Sequence, residues 1–227
     1  MPSIQTSRAV LQCVASTSHQ VMGWYLPEAA HPYYVLKDVA SIDFASPKGA
    51  NPPLDPSSVK AFAEDKESVQ FLNDETVKSK LSNAKKLSDV KVEEYDAIFY
   101  VGGQGPVIDL PTDPVNIKLA TEFWQAGKIT SAVCHGPGAL VNVVDKDGKS
   151  IFAGKRATGI SNREDEILDI VPNIPFLVET KIRALGAYEK AAEPFEAYVV
   201  VDGKLITGQN PASAAGVGKA ILEALRN

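Results

Sequence analysis

The feature that most constrains this chain is a recurring alternation of short β-branched apolar runs with longer helical patterns. The runs are residues 9–15 (AVLQCVA), 41–45 (SIDFA), 96–101 (DAIFYV) and 128–133 (KITSAV). Each is the length of a strand and is bounded by turn residues, as expected of strands buried on both faces. Between them, residues 28–39 read as a helix. Residues 114–126 (PVNIKLATEFWQA) open on proline and stop at Gly127, the usual start and stop chemistry. Strands alternating with helices predict an α/β fold, a mostly parallel sheet covered on both faces. Residues 198–207 (YVVVDGKLIT) carry Asp-Gly between two apolar runs and predict a hairpin, followed by a closing helix over 212–226.

Two stretches break this rhythm. Residues 46–56 (SPKGANPPLDP) are rich in proline, glycine and polar residues, the composition of a functional loop within a compact domain. Residues 57–88 are charged and helical and predict a small helical cap insertion. There is no repeat and no linker-like tract, so the whole chain, 1–227, is expected to form one domain.

Composition excludes several functions. The net charge of −5 supplies no basic field for nucleic acid or an anionic membrane surface. No segment has the roughly 18 apolar residues of a membrane span. The N-terminal apolar stretch is interrupted by Gln12 and reads as a first strand rather than a secretory signal. Two cysteines, Cys13 and Cys134, cannot make a disulfide framework, which points to reduced thiols and a cytoplasmic protein. The three histidines, His19, His31 and His135, lack metal-ligand spacing, so no metal is expected.

The most informative segment is 129–144, ITSAVCHGPGALVNVV. A buried strand runs into Cys134-His135-Gly136-Pro137-Gly138 and then into a helical pattern. This strand–turn–helix unit lifts a nucleophile to the carboxyl end of the sheet, and the glycines keep the turn uncrowded. A helix N-terminus after the turn would favour the thiolate of Cys134. The alternative for Cys134 is a buried thiol at a strand end; Cys13, in mid-strand, reads as a core thiol. A second glycine cluster, Gly102-Gly103-Gln104-Gly105-Pro106, follows the strand at 96–101. Its amides can face a small anion, and an oxyanion hole would join one of them to that of His135. Its spacing equally fits a plain strand–helix turn. Glu28, at the start of the first helix, emerges on the same rim. Beside a sulfur its pKa would rise, letting it donate to the thiolate or shuttle a proton. On residue type alone, a first-turn glutamate favoured by the helix dipole is the better reading. His31, one turn later, is expected to pack behind it.

The segments GWYLPEAAHPYYVL, DFASPKGANPPLDPSSV, YDAIFYVGGQGP, AVCHGPGALVNV, AGKRATGISNREDE and VDGKLITGQNPAS span nearly the whole chain. Together they resemble the ThiJ/PfpI superfamily of class I glutamine amidotransferase-like folds. The likeness is to its fungal glutathione-independent glyoxalase III and heat-shock-chaperone branch. The resemblance implies a flavodoxin-like three-layer sandwich. It implies Cys134 as nucleophile, Glu28 as the carboxyl group beside it and His135 as the catalytic histidine. The supporting acid would be Glu164, Asp165 or Glu166, with Glu166 matching best by its distance in sequence. Gly103 and Gln104 would serve oxyanion and substrate binding, with Gln104 standing where relatives commonly carry histidine. The segment before Gly23 is short for this branch.

The activity so implied is cofactor-free conversion of methylglyoxal, a small carbonyl substrate, to lactate, by a lyase of the glyoxalase III type, and the resemblance also implies a homodimer. Two other readings accompany it: a stress-response chaperone or redox sensor that holds unfolded proteins and oxidises at cysteine, and a hydratase, hydrolase or protein deglycase acting on another small electrophile. The lack of any histidine after His135 argues against amidotransfer.

Overall fold

In the computed structural model, which describes residues 8–15 and 22–227, a seven-stranded sheet forms the centre of the molecule. Its strands are β1 (Arg8–Cys13), β2 (Ala40–Ser46), β3 (Lys85–Lys86), β4 (Ala97–Tyr100), β5 (Ile129–Val133), β8 (Val199–Asp202) and β9 (Leu205–Gly208). They are ordered β3-β2-β1-β4-β5-β9-β8. All neighbours are parallel except the β8–β9 hairpin, whose turn is the Asp-Gly read from sequence. A separate pair, β6 (Arg156–Ala157) and β7 (Ala187–Tyr188), is also parallel. The segment before Gly23 and His19 fall largely outside the described residues.

The helices are α1 (Leu26–Leu36), α2 (Pro56–Ala61), α3 (Lys66–Asn73), α4 (Glu75–Ser82), α5 (Gly105–Ile108), α6 (Pro114–Gln125), α7 (Asn162–Ile167), α8 (Val178–Leu185) and α9 (Ala214–Arg226). α1 carries the chain from β1 to β2, whereas α6 carries it from β4 to β5, in the opposite direction along the sheet. Right-handed crossovers therefore place α1 and α6 on opposite faces, and α9 packs beside α1. This is the flavodoxin-like three-layer arrangement. Helices cover both faces of β1, β4 and β5, and Leu11, Ile98, Phe99 and Ala132 are wholly buried.

Helices α2, α3 and α4 occupy the 57–88 stretch. Each starts on an aspartate, Asp55, Asp65 or Asp74, whose side chain accepts a hydrogen bond from a first-turn amide. Phe71 of α3 is fully buried and meets the rings of Trp24, Tyr33 and Phe44 edge-on. This aromatic cluster fixes the helical layer to α1 and β2.

Candidate active site

Three adjacent strands, β1, β4 and β5, deliver their carboxyl ends to one place, where open α/β sheets hold their sites. After β1 the chain passes through Gly23-Trp24-Tyr25 into α1, whose first turn carries Glu28. After β4 come Gly102 and Gly103, and after β5 come Cys134 and His135.

Cys134 adopts a left-handed backbone conformation with φ +59°. A non-glycine residue there is strained, and such strain is typical of functional turns. The surroundings hold it: its amide donates to the Gly208 carbonyl at 2.9 Å, and its carbonyl accepts from the Ile160 amide at 2.8 Å. The strand beside β5 and the segment leading to α7 thus clamp the elbow from both sides.

Gly102 is what lets the two reactive groups meet. A Cβ at this position would lie 2.2 Å from a Glu28 carboxyl oxygen and 2.7 Å from Cβ of Cys134. Gly103, at φ +90°, takes a conformation that glycine adopts without strain. It and Gln104 line the cavity above the sulfur.

Glu28 is fully buried, and burial pushes its pKa up to about 8; the Cys134 thiol and the Gly102 amide face it and partly oppose that rise. Burial likewise pushes the Cys134 thiol well above its ordinary range, and the Glu28 carboxylate pushes it further. The two groups therefore form a pair that carries at most one negative charge. A thiolate at Cys134 requires Glu28 to hold its proton, in which state the acid can donate to sulfur.

The expectation that a helix dipole lowers the thiol pKa is corrected by the structure. The elbow leads into one 3₁₀ turn, Gly136–Leu140, rather than an α-helix. Pro137 and the two glycines flanking it are poor helix formers, so the pattern read as a helix does not propagate.

His135 is buried, with Nδ1 3.4 Å from the Cys134 Sγ and Nε2 2.9 Å from Asp165 Oδ1. A carboxylate only accepts, so Nε2 carries a hydrogen and Nδ1 of the neutral ring is left to accept the thiol proton. The acid that meets His135 is thus Asp165, and the sequence-based choice of Glu166 is corrected. Glu166 is exposed and pairs with Arg163 at 3.2 Å on the outer face of α7. Consecutive helical residues point about 100° apart, so only one of the three acids can face inward at the imidazole.

Glu164, the remaining acid, has a different place. Ser161 and Glu164 form a capping box at the start of α7. The Glu164 carboxylate accepts from the Ser161 amide and hydroxyl, the Phe195 amide, Gln209 Nε2 and Asn210 Nδ2, all within 2.9 Å. Burial pushes its pKa up, but these donors outweigh burial and hold it below the ordinary value. The Ser-x-x-Glu spacing in SNREDE was a sequence signal for this capping role, and it leaves Asp165 or Glu166 for the imidazole.

The walls come from segments whose side chains were not singled out in the sequence. Trp24 and Leu54 form a parallel β-bridge, with the Trp24 amide donating to Pro53 and the Asp55 amide to Trp24. Ser58 Oγ accepts from the Leu26 amide at 3.1 Å, tying α2 to the start of α1. The proline-rich 46–56 loop therefore helps build the cavity. Tyr25, Asp55 and Phe62 line one side, and Leu168, Ile170, Phe195 and Asn210 line the other. The cavity measures about 460 Å³ and contains Cys134 and His135.

His31 does not pack behind Glu28 as expected. Its Nε2 lies 2.9 Å from Asp65 Oδ2, joining α1 to the start of α3 outside the cavity. Cys13 is fully buried in β1, where burial pushes its thiol pKa far up, as expected of an inert core thiol.

Known proteins resemble this chain in sequence and overall structure. Glyoxalase 3 of Candida albicans is 32% identical over 211 residues, covering 89% of each chain. The crystal structure of Candida albicans glyoxalase III matches with 29% identity and a TM-score of 0.82, covering 96% of this chain and 97% of that one. The Francisella tularensis Rapid Encystment Protein 24 KDa superposes with a TM-score of 0.89 at 37% identity, over 97% of this chain and all of the other. The DJ-1/PfpI family model matches residues 28–224, from Glu28 almost to the end of α9. With the cysteine elbow, its histidine and the buried glutamate all inside or at the edge of that match, the chain belongs to the DJ-1/PfpI family.

Proposed function

We propose that this protein is a glutathione-independent glyoxalase that converts a 2-oxoaldehyde such as methylglyoxal, with water, to the 2-hydroxy acid, and that Cys134 is its nucleophile. The observation that carries the reading is the strained Cys134 at the floor of a cavity, between an imidazole and a buried protonated carboxyl group. The glyoxalase names of the relatives above support it.

In this reading His135 Nδ1 takes the thiol proton, and the sulfur forms a bond to the aldehyde carbon. The aldehyde oxygen gains the electron pair and is protonated to a hemithioacetal. Removal of the hydrogen on that carbon and protonation of the neighbouring carbonyl oxygen give an enediol. Return of a proton to the second carbon, with loss of the hydroxyl proton from the sulfur-bearing carbon, gives a thioester. Water then adds to the thioester, and the thiolate leaves as the hydroxy acid forms. One carbon is oxidised and its neighbour reduced, so no external redox partner enters. His135 and Glu28 are the groups positioned to carry these protons, and Asp165 holds the imidazole in its tautomer. Gly103 and Gln104 serve the substrate's oxygens.

The test is lactate production from methylglyoxal without glutathione. The wild type is expected to be active. Cys134→Ala is expected to lose at least about a thousandfold in rate while keeping a folded circular dichroism spectrum. An active alanine variant would exclude the cysteine route. The same reading carries a homodimeric, cytoplasmic enzyme by family resemblance, and sedimentation equilibrium tests the dimer.

A further inference from the structure

The cavity is large and greasy for a three-carbon aldehyde. Its volume of about 460 Å³ falls within the range of about 300–1,000 Å³ that encloses drug-sized ligands. Its lining is dominated by Tyr25, Phe62, Ile160, Leu168, Ile170 and Phe195, and among the described residues it contains no lysine or arginine. The charged group on its wall is the carboxyl of Asp55, whose Oδ1 accepts from the Ser57 amide.

The apolar side chains at the mouth are held there against their own preferences. Leu168 is 51% exposed and Phe195 41% exposed, and Ile167 and Val171 adjoin this rim in sequence and are exposed too. Phe195 has φ +65°, a conformation that is strained for an aromatic residue, and its amide is fixed by the buried Glu164 carboxylate. On the neighbouring segment Asp169 has φ +53°. The Asp169 and Ile170 amides donate back to the Glu166 and Asp165 carbonyls, closing α7 with a Schellman turn. That turn sets Leu168 and Ile170 on either side of Asp169, both on the cavity wall. Two separately strained backbones thus present hydrocarbon to one opening, above the sulfur.

We infer that the preferred substrates are neutral 2-oxoaldehydes whose ketone carbon bears a bulky apolar group, aromatic or branched aliphatic, which the Leu168–Ile170–Phe195 rim covers. The inference rests on the glyoxalase reading and names the substrate class for that site. Hydrocarbon burial favours the larger substituent over methyl. A substituent carrying a negative charge meets Asp55 and no lysine or arginine among the described lining residues.

The experiment compares methylglyoxal, phenylglyoxal and 4-carboxyphenylglyoxal. For the wild type, kcat/KM for phenylglyoxal is expected to exceed that for methylglyoxal by at least about tenfold, or about 1.4 kcal/mol, and that for the carboxylated analogue by a similar factor. Phe195→Gly suits the left-handed backbone and should fold. It is expected to lower kcat/KM for phenylglyoxal at least about fivefold more than for methylglyoxal. Titration calorimetry on Cys134→Ala reads the wall without the chemistry, and phenylglyoxal is expected to bind about tenfold more tightly than methylglyoxal. Equal or weaker binding and turnover of phenylglyoxal would overturn the inference while leaving the glyoxalase reading intact. Selective binding with no hydroxy acid from any of the three would overturn the glyoxalase reading and uphold the apolar preference.

Discussion

Glu28 is buried without charge compensation, and its position therefore has a measurable cost. Its folded pKa of about 8 lies above the ordinary 4.5. A group raised in this way contributes stability below the ordinary pKa that is lost as pH rises through the folded value. Glu28→Gln is therefore expected to leave stability unchanged near pH 4. It should raise it progressively towards pH 8, by about 2–4 kcal/mol, in urea unfolding across that range. The same substitution should abolish turnover, and in the wild type kcat/KM should fall as pH passes about 8. A pH-independent stability difference would show that Glu28 ionises freely where it stands. Asp165 and Glu166 offer a second contrast of single residues. Asp165→Asn is expected to reduce kcat by about a hundredfold or more through the wrong imidazole tautomer. Glu166→Gln, on the solvent side of α7, should change kcat less than about twofold. The Ser-x-x-Glu spacing could narrow the acid to Asp165 or Glu166, but distance along the chain pointed to the wrong one, since the choice depends on the rotation of α7 set by its capping box.

At the scale of elements, α7 and the 208–213 segment are bound together by the Glu164 carboxylate, which collects donors from Ser161, Phe195, Gln209 and Asn210. Glu164→Ala would leave these donors without their acceptor in a buried place. It is expected to destabilise the protein by about 2–4 kcal/mol at neutral pH. Because the folded pKa lies below the ordinary value, this stabilisation is present above the ordinary carboxylate range and disappears as pH falls through the folded value. The difference between wild type and variant, followed by thermal unfolding, should accordingly shrink below about pH 4. The elements themselves were largely legible, since periodicity and end signals place β1, β2, β4, β5, α6, the β8–β9 hairpin and α9 within a residue or two of their observed bounds. The stretch after the elbow was not, because apolar residues after Cys134 fit a helical period although Gly-Pro-Gly permits only a 3₁₀ turn. The cavity wall was the other blind spot. Tyr25, Phe62 and Phe195 are brought together by long-range contacts that no local pattern encodes.

For the whole molecule, the position of the reactive groups argues that activity and fold are lost together. Glu28, Gly102 and Cys134 follow three adjacent central strands, and the elbow is hydrogen-bonded to Gly208 at the end of a fourth. None of them is carried by the β3 edge or by β8. The wall on the α2 side is tied to this centre by the Trp24–Leu54 bridge, the Leu26–Ser58 hydrogen bond and the rings around Phe71. A peripheral opening that spared the sheet would have to break those contacts first. In a urea series, loss of hydroxy-acid formation, loss of far-ultraviolet circular dichroism and the change in tryptophan fluorescence are therefore expected to share one midpoint. In a Trp124→Phe background, Trp24 makes fluorescence a direct reporter of the wall, since its ring is buried between the 46–56 loop and Phe71. Fluorescence and activity falling together well before circular dichroism would mean that the helical layer opens as a separate unit. The enclosure around Cys134 would then be an independently stable feature of that layer and not a property of the sheet.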